Sequence, residues 1–180
     1  MMQLDSDITF RLAKPADALC VGVLSTQVFL DTYATDGLRP DLAREALTNY
    51  SPALFEARIR DVSNHFVLAE RGGHLLAFSE VRLSSQPPLP FLQTGAELVH
   101  LYVQRRSQRL GIGAALLARA EVYAGSHGAP VLWLTAWVGN TNARAFYRAQ
   151  GYKETGSASH VFEGRAYENR VYCKAIRNAP

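Results

Sequence analysis

Short apolar runs alternate along this chain with longer stretches in which apolar residues recur every three or four positions, the pattern of strands interleaved with helices. Residues 8–12 alternate weakly and are expected as a first strand. Lys14-Pro15-Ala16-Asp17 follows, with proline suited to the first helical position and an acid to the first turn. A helix is therefore expected over about 15–32, with Lys14 an inherently poor cap, before a polar break at 31–37. Arg39-Pro40-Asp41 opens a second short helix reaching about Asn49, and Ser51-Pro52 a third that carries Leu54, Phe55 and Ile59. Residues 65–70 (HFVLAE) and 75–81 (LLAFSEV), joined through Arg71-Gly72-Gly73-His74, read as a hairpin.

The next strand, 97–103, places Glu97, Val99, Leu101 and Val103 on one face and His100 and Tyr102 on the other. Over 104–123 it gives way to a basic loop and then a helix whose apolar stripe is Ile112, Leu116, Ala120 and Tyr123. Gly111 and Gly113 stand at the join, where a missing Cβ lets a bound group approach the backbone and permits positive φ. The first amides of such a helix have no internal acceptor and lie at the positive end of its dipole. With Arg105, Arg106 and Arg109 beside them, they make an anion cradle suited to phosphate. The helix stops in the turn-rich run 126–130; residues 131–137 are a buried strand, 140–150 a helix closed by Gly151, and 152–159 and 171–175 two last strands. The order β-α-α-α-β-β-β-α-β-α-β-β indicates a mixed α/β sheet with a crossover helix between two central parallel strands.

At 180 residues, 48% hydrophobic and 19% charged, the chain fits one globular domain, 1–180, with the segment 84–94 an exposed loop. It lacks a membrane-length apolar run, and its N-terminus lacks a basic segment followed by an apolar one, so a cytoplasmic protein without membrane contact is expected. Cys20 and Cys173 are expected as buried thiols, without metal-ligand spacing. A net charge of +3, concentrated around the glycine loop, suits one anionic ligand better than a nucleic acid.

Gly111-Ile112-Gly113 follows a strand and opens a helix, yet Leu116 occupies the third glycine position of a dinucleotide fingerprint and no ribose-binding acid follows. A P-loop lysine is also missing. Instead, Gln108-Arg109-Leu110-Gly111-Ile112-Gly113 resembles the Gln/Arg-x-x-Gly-x-Gly/Ala loop of the GCN5-related N-acetyltransferase (GNAT) superfamily. Residues 140–152 (NTNARAFYRAQGY) are similar to that superfamily's Asn-x-x-Ala-x-x-Phe-Tyr-x-x-x-Gly-Phe/Tyr segment, in the right order and one helix and one strand later. The softer likenesses at 27–33, 137–140 and 160–164 are similar to the bacterial spermidine/spermine N-acetyltransferase-like branch.

The resemblance implies a GNAT fold: one mixed, mostly antiparallel sheet with a central splayed parallel strand pair, flanked by helices. It implies acetyl-CoA as co-substrate and no metal. Leu101, Tyr102, Val103, Gln108, Arg109, Leu110, Gly111, Ile112, Gly113 and Ala114 would hold the pantetheine and pyrophosphate, with Asn140, Ala143 and Phe146 beside the cofactor arm. A splayed strand offers its backbone to that amide-rich arm as to another strand, and the Val103 amide would face the thioester carbonyl. Tyr147 stands at the family's usual position for the proton donor to the departing thiolate. Glu97 is the favoured base, with His100 and water as rivals. Asp31, Tyr33, Asp36, Glu80, Glu163 and Glu168 are candidates to attract a cationic amine. The expected partner is a small-molecule amine, a polyamine among the options. A protein or peptide amine, a non-catalytic acyl-CoA-binding module, and a homodimer through the C-terminal edge strands stay open.

Overall fold

Lys14 caps poorly, and the fold compensates through the residue three positions on. Asp17 accepts the Lys14 N–H at 2.7 Å and closes a 3-10 turn, Pro15–Asp17, that feeds the first helix. Arg11, on the first strand, donates from both terminal nitrogens to Asp17 at 2.7 and 2.8 Å and also reaches Glu70. The Arg11 guanidinium holds the Asp17 carboxyl below its ordinary range of about 3.8. A folded-state pKa below the unfolded one stabilises the protein above that ordinary value and is lost as acid titrates the carboxylate. Asp17→Asn is expected to flatten the acid limb of the stability curve below about pH 4, read from denaturant midpoints against pH.

The computed structural model describes residues 7–162 and 164–176. Its elements are β1 (Ile8–Leu12), α1 (Ala18–Tyr33), α2 (Pro40–Asn49), α3 (Pro52–Arg60), β2 (Asn64–Arg71), β3 (His74–Ser85), β4 (Gly95–Val103), α4 (Ile112–Ser126), β5 (Val131–Trp137), α5 (Thr141–Ala149), β6 (Lys153–Phe162) and β7 (Arg165–Ala175). The seven strands form one sheet in the order β1-β2-β3-β4-β5-β7-β6, with β4 and β5 parallel. This is the expected mixed α/β sheet. β7 begins at Arg165 rather than Val171, because its first residues are polar on both faces and pair with β6 through the backbone, which leaves no hydrophobic period to read.

The chain divides into two compact units, Met1–Glu80 with His100–Ala118, and Val81–Val99 with Arg119–Pro180. In the first, β2 is apolar on both faces. Phe66 and Leu68 pack with Val21, Leu24, Phe55 and Phe78 beneath α1 and α3. Val67 and Ala69 pack on the other face with Ile8, Ala77, Ile112 and Leu116. A strand covered by helices on both faces reads as a continuous apolar run, as HFVLAE does. β4 follows the same parity, with Tyr102 against the first cluster and Leu101 and Val103 against the second.

α1 approaches the turn before α3 at Gly22, where an added Cβ would stand 2.8 Å from the Tyr50 carbonyl oxygen. A larger residue gains roughly 1 kcal/mol of helix propensity but meets rigid backbone, and such overpacking costs about 1–3 kcal/mol. Valine has little propensity advantage and more bulk, so Gly22→Val is expected to lower the denaturant midpoint with an unchanged slope. Cys20, expected to be buried, is exposed on α1. That helix is apolar nearly all round (ALCVGVLSTQVFLDTY), so periodicity does not single out its inner face.

In the second unit, β5 and β7 are in antiparallel register from Val131↔Ala175 to Trp137↔Asn169, and β6 joins β7 with a register shift between Glu154 and Gly156. Leu89 of the β3–β4 loop lies on Gly156, where a Cβ would come within 2.8 Å of it, while Phe91 is exposed. Lys174 donates to both Glu121 oxygens at 2.8 and 2.9 Å and to the Gln150 carbonyl, and Tyr152 donates to Glu121, so α4, the end of α5 and β7 are tied together. Among the described residues no helix is long and apolar enough to cross a membrane.

Candidate active site

β4 ends where Gln104 N–H reaches the Leu76 carbonyl at 2.9 Å, and a 3-10 turn, Arg105–Ser107, carries the chain outward. The turn leads to Arg109 at φ 62° and Gly111 at φ 80°, both left-handed. Glycine takes this conformation freely, whereas an arginine there costs about 1–2 kcal/mol. Two contacts accompany the strain: Ser107 is buried with its N–H on the Gln104 carbonyl at 2.8 Å, and the Gln108 side-chain amide donates to the Val103 carbonyl at 3.3 Å. Stored strain of this kind collects where a ligand needs a set backbone shape.

The Gly111 carbonyl accepts the Ala115 N–H at 3.0 Å and begins α4. The amides of Ile112, Gly113 and Ala114 therefore precede the first helical hydrogen bond and have no acceptor within the helix. Leu101, Val103, Leu110 and Ile112 turn into one apolar cluster, while Arg105, Arg106 and Arg109 are exposed. The loop thus has an apolar underside that fixes it and a positive outer surface that fits an anion. The Tyr102 side chain points the other way, toward Phe78 and His100, so only its backbone is on offer to a pantetheine arm.

In the second unit, β4 and β5 are registered at Ala96↔Leu132 and Glu97↔Trp133, against a β5–β7 pairing that runs the length of β5. Their joined end is tight: a Cβ on Gly95 would meet the Val131 carbonyl oxygen at 2.6 Å. β4 and β5 are thus the parallel pair expected at the centre of the sheet.

α5 is capped by Asn140, whose side chain accepts the Ala143 N–H at 3.1 Å. Half-buried Phe146 packs on Tyr147 with ring centroids 5.3 Å apart, and Tyr147 packs in turn on Tyr152 at 5.9 Å and Tyr172 at 6.2 Å. Burial pushes the Tyr147 hydroxyl far above its ordinary pKa of 10, and among the described residues no hydrogen-bond partner engages it. It is a phenol that keeps its proton at neutral pH, the state a proton donor requires.

Glu97 accepts from the Ser85 hydroxyl at 2.7 Å, with the Arg82 guanidinium at 4.0 Å. Ser84 takes a left-handed φ of 53° beside it, and the Ser85 carbonyl receives the Trp133 indole N–H at 3.2 Å. Glu97 is therefore a hydrogen-bonded strand residue anchored to an irregularity in β3. His100, on the opposite face, has Nδ1 2.8 Å from Oε2 of Glu80. Glu80 is fully buried and gripped by Arg58, so it is not a surface attractor for a cationic amine. Spacing alone did not join Arg58, Glu80 and His100, which come from α3, β3 and β4. The one sequence signal was an acid, Glu80, inside a mostly apolar run, LLAFSEV. Of the other acidic candidates, Asp31 and Asp36 are exposed, Glu168 pairs with Arg170 at 3.0 Å, and Glu163 lies outside the described residues.

Comparison with known proteins places this geometry. Aminoglycoside N(6')-acetyltransferase type 1 of Stenotrophomonas maltophilia is 30% identical over 154 residues, covering 82% of this chain and 87% of that protein. Among solved structures, an N-acetyltransferase from Thermoplasma acidophilum in complex with coenzyme A superposes with a TM-score of 0.71 at 19% identity, over 93% of this chain and 98% of that one. A spermidine/spermine N-acetyltransferase from Vibrio cholerae gives 0.67 at 17% identity, over 96% and 95%. At these identities the two structures speak for the fold. The model of the acetyltransferase (GNAT) family matches residues 32–152, from the end of α1 through the glycine loop to the close of α5, and the chain belongs to that family.

Proposed function

We propose that this chain transfers the acetyl group of acetyl-CoA to the primary amine of a small molecule by direct attack, within one acetyltransferase domain. The observation that carries the proposal is the loop of residues 108–114, with left-handed Arg109 and Gly111 ahead of the α4 amides that precede its first helical hydrogen bond. In this reading the amides of Ile112, Gly113 and Ala114 take the pyrophosphate, and the exposed arginines add attraction at a distance. The backbone of Leu101 to Val103 takes the pantetheine arm, and the Val103 amide stabilises the charge that develops on the thioester oxygen. Asn140, Ala143 and Phe146 flank the arm. The amine nitrogen forms a bond to the carbonyl carbon, the carbon–sulfur bond breaks, and Tyr147 gives its proton to the thiolate. The amine must also lose a proton, and Glu97 and His100 are the two β4 groups able to take it.

A small amine is favoured over a protein by the aminoglycoside acetyltransferase, whose name specifies an amino-sugar acceptor and whose likeness spans most of both chains. A polyamine is less favoured, because Glu80 is buried with Arg58 and Glu168 is paired with Arg170. Calorimetric titration tests the cofactor half. Acetyl-CoA is expected to bind, and the affinity to weaken with salt as the arginines are screened. An absence of binding at millimolar acetyl-CoA overturns the proposal.

A further inference from the structure

We infer that the Gln108 side chain is a positioning residue, a clasp that fixes the glycine loop relative to the last residue of β4; this rests on the acetyl-transfer reading above. The backbone groups of one strand residue leave by one edge, and those of the next residue by the other. The Gln104 N–H runs to the Leu76 carbonyl of β3 at 2.9 Å, so the N–H and carbonyl of Val103 face the edge away from β3. That edge is the one proposed to take the acetyl-bearing arm. On it, the Val103 carbonyl accepts from Nε2 of Gln108 at 3.3 Å. A carbonyl oxygen only accepts, so the nitrogen of the Gln108 amide is the atom that faces it, and a neutral amide leaves nothing to titrate.

The clasp closes a short ring of chain. From Val103 the backbone passes through the 3-10 turn, with the Ser107 N–H on the Gln104 carbonyl at 2.8 Å and the Gln108 N–H on the Arg105 carbonyl at 3.3 Å. The Gln108 side chain then reaches back to the residue from which the turn set out. Beyond it come Arg109 at φ 62° and Gly111 at φ 80°, and the Gly111 carbonyl begins α4. Leu110 joins the apolar cluster that also takes Leu101 and Val103. Two fastenings, polar at Gln108 and apolar at Leu110, therefore set where the first amides of α4 stand relative to the end of β4. Gln108 lies among the exposed Arg105, Arg106 and Arg109, yet its donor is turned onto the protein's own backbone. That distinguishes it from a residue that grips phosphate.

A long ligand held at two places gains from the link between its halves only as far as the spacing of the two places is fixed. A loop that wanders lowers the effective concentration of the second half at its site and leaves each half-site intact. Gln108 thus contributes to binding of the whole cofactor and little to either half. No bond is made or broken at Gln108.

The test compares the full chain with Gln108→Met, which keeps the length of the side chain and removes its N–H. Calorimetry and displacement of acetyl-CoA give the affinities of three ligands: acetyl-CoA, S-acetylpantetheine for the arm alone, and 3'-phosphoadenosine 5'-diphosphate for the diphosphate half. Gln108→Met is expected to weaken acetyl-CoA by roughly 3- to 10-fold, the factor that one net hydrogen bond supplies. The affinities of the two halves are expected to change by less than about twofold. A general loosening of the fold would lower the denaturant midpoint without singling out the linked ligand. Unchanged acetyl-CoA affinity overturns the inference. So does an equal loss for the diphosphate half, which would make Gln108 a phosphate ligand, or for S-acetylpantetheine, which would confine its effect to the strand. Each of these leaves the acetyl-transfer reading intact, whereas an unaltered chain that does not bind acetyl-CoA overturns both. Should Gln108→Met not fold, proton NMR of the unaltered chain with acetyl-CoA decides. A nuclear Overhauser contact from the Gln108 side-chain amide to the Gln104 α-proton is expected, and its loss on binding overturns the inference.

Discussion

Tyr147→Phe is expected to lower kcat for acetyl transfer by roughly 10- to 10²-fold, with the calorimetric affinity for acetyl-CoA unchanged. In the proposed mechanism the phenol ring supplies the packing and the hydroxyl the chemistry, and phenylalanine separates them. The ring contacts with Phe146, Tyr152 and Tyr172 persist in the variant, so its stability should stay within about 1 kcal/mol. Only the proton for the departing sulfur is lost. The effect belongs at the low end of general-acid contributions, because a thiol with a pKa near 8.5 leaves as thiolate with modest help. The loss should also shrink for leaving groups more acidic than CoA. Equal losses for every leaving group would place Tyr147 in positioning rather than proton transfer.

Gly111→Val is expected to weaken acetyl-CoA binding by at least about tenfold. At φ 80° a β-branched residue pays the full left-handed penalty of roughly 1–2 kcal/mol. Relaxing that strain turns the Gly111 carbonyl away from Ala115 and rotates the first α4 amides off their common target. A change of 1.4 kcal/mol is a factor of ten, so even partial relaxation reaches it. The structural cost is read separately, as a drop in denaturant midpoint, so a folded variant that keeps its acetyl-CoA affinity would show that the loop is a plain turn.

Much of the fold was legible because its apolar spacing is strict. β1 and β5 have the bounds expected for them, and Pro40 and Pro52 mark the starts of α2 and α3. The errors fall where burial and period decouple. α1 is apolar all round and hides which face carries Cys20, while the polar first half of β7 carries no period. The glycine loop was legible for a related reason: positive φ and an open helix end demand particular residue types, and these show in a sequence. Its arginine at φ 62° was not, since nothing in the residue type requires it.

The surroundings of His100 were the least legible part. Strand parity puts His100 and Glu97 on opposite faces of β4, yet it cannot say which of them has a buried partner. The partners of His100, Glu80 and Arg58, lie 20 and 42 residues away from it along the chain. The same packing gave Glu80 an interior place, where the sequence had offered it as an attractor for a cationic amine. Long-range ion pairs of this kind have no local signature, so a site built from them is visible only after the fold.

Thiol release from acetyl-CoA, followed together with the mass of the amine product, tests the central claim most directly. The account predicts that at least one small primary amine raises thiol release well above the hydrolysis rate and gains one acetyl group, mole for mole with the thiol released. Tight binding of acetyl-CoA with no amine in the panel raising the rate above hydrolysis would contradict it, and would point to a chain that binds the cofactor without transferring its acetyl group.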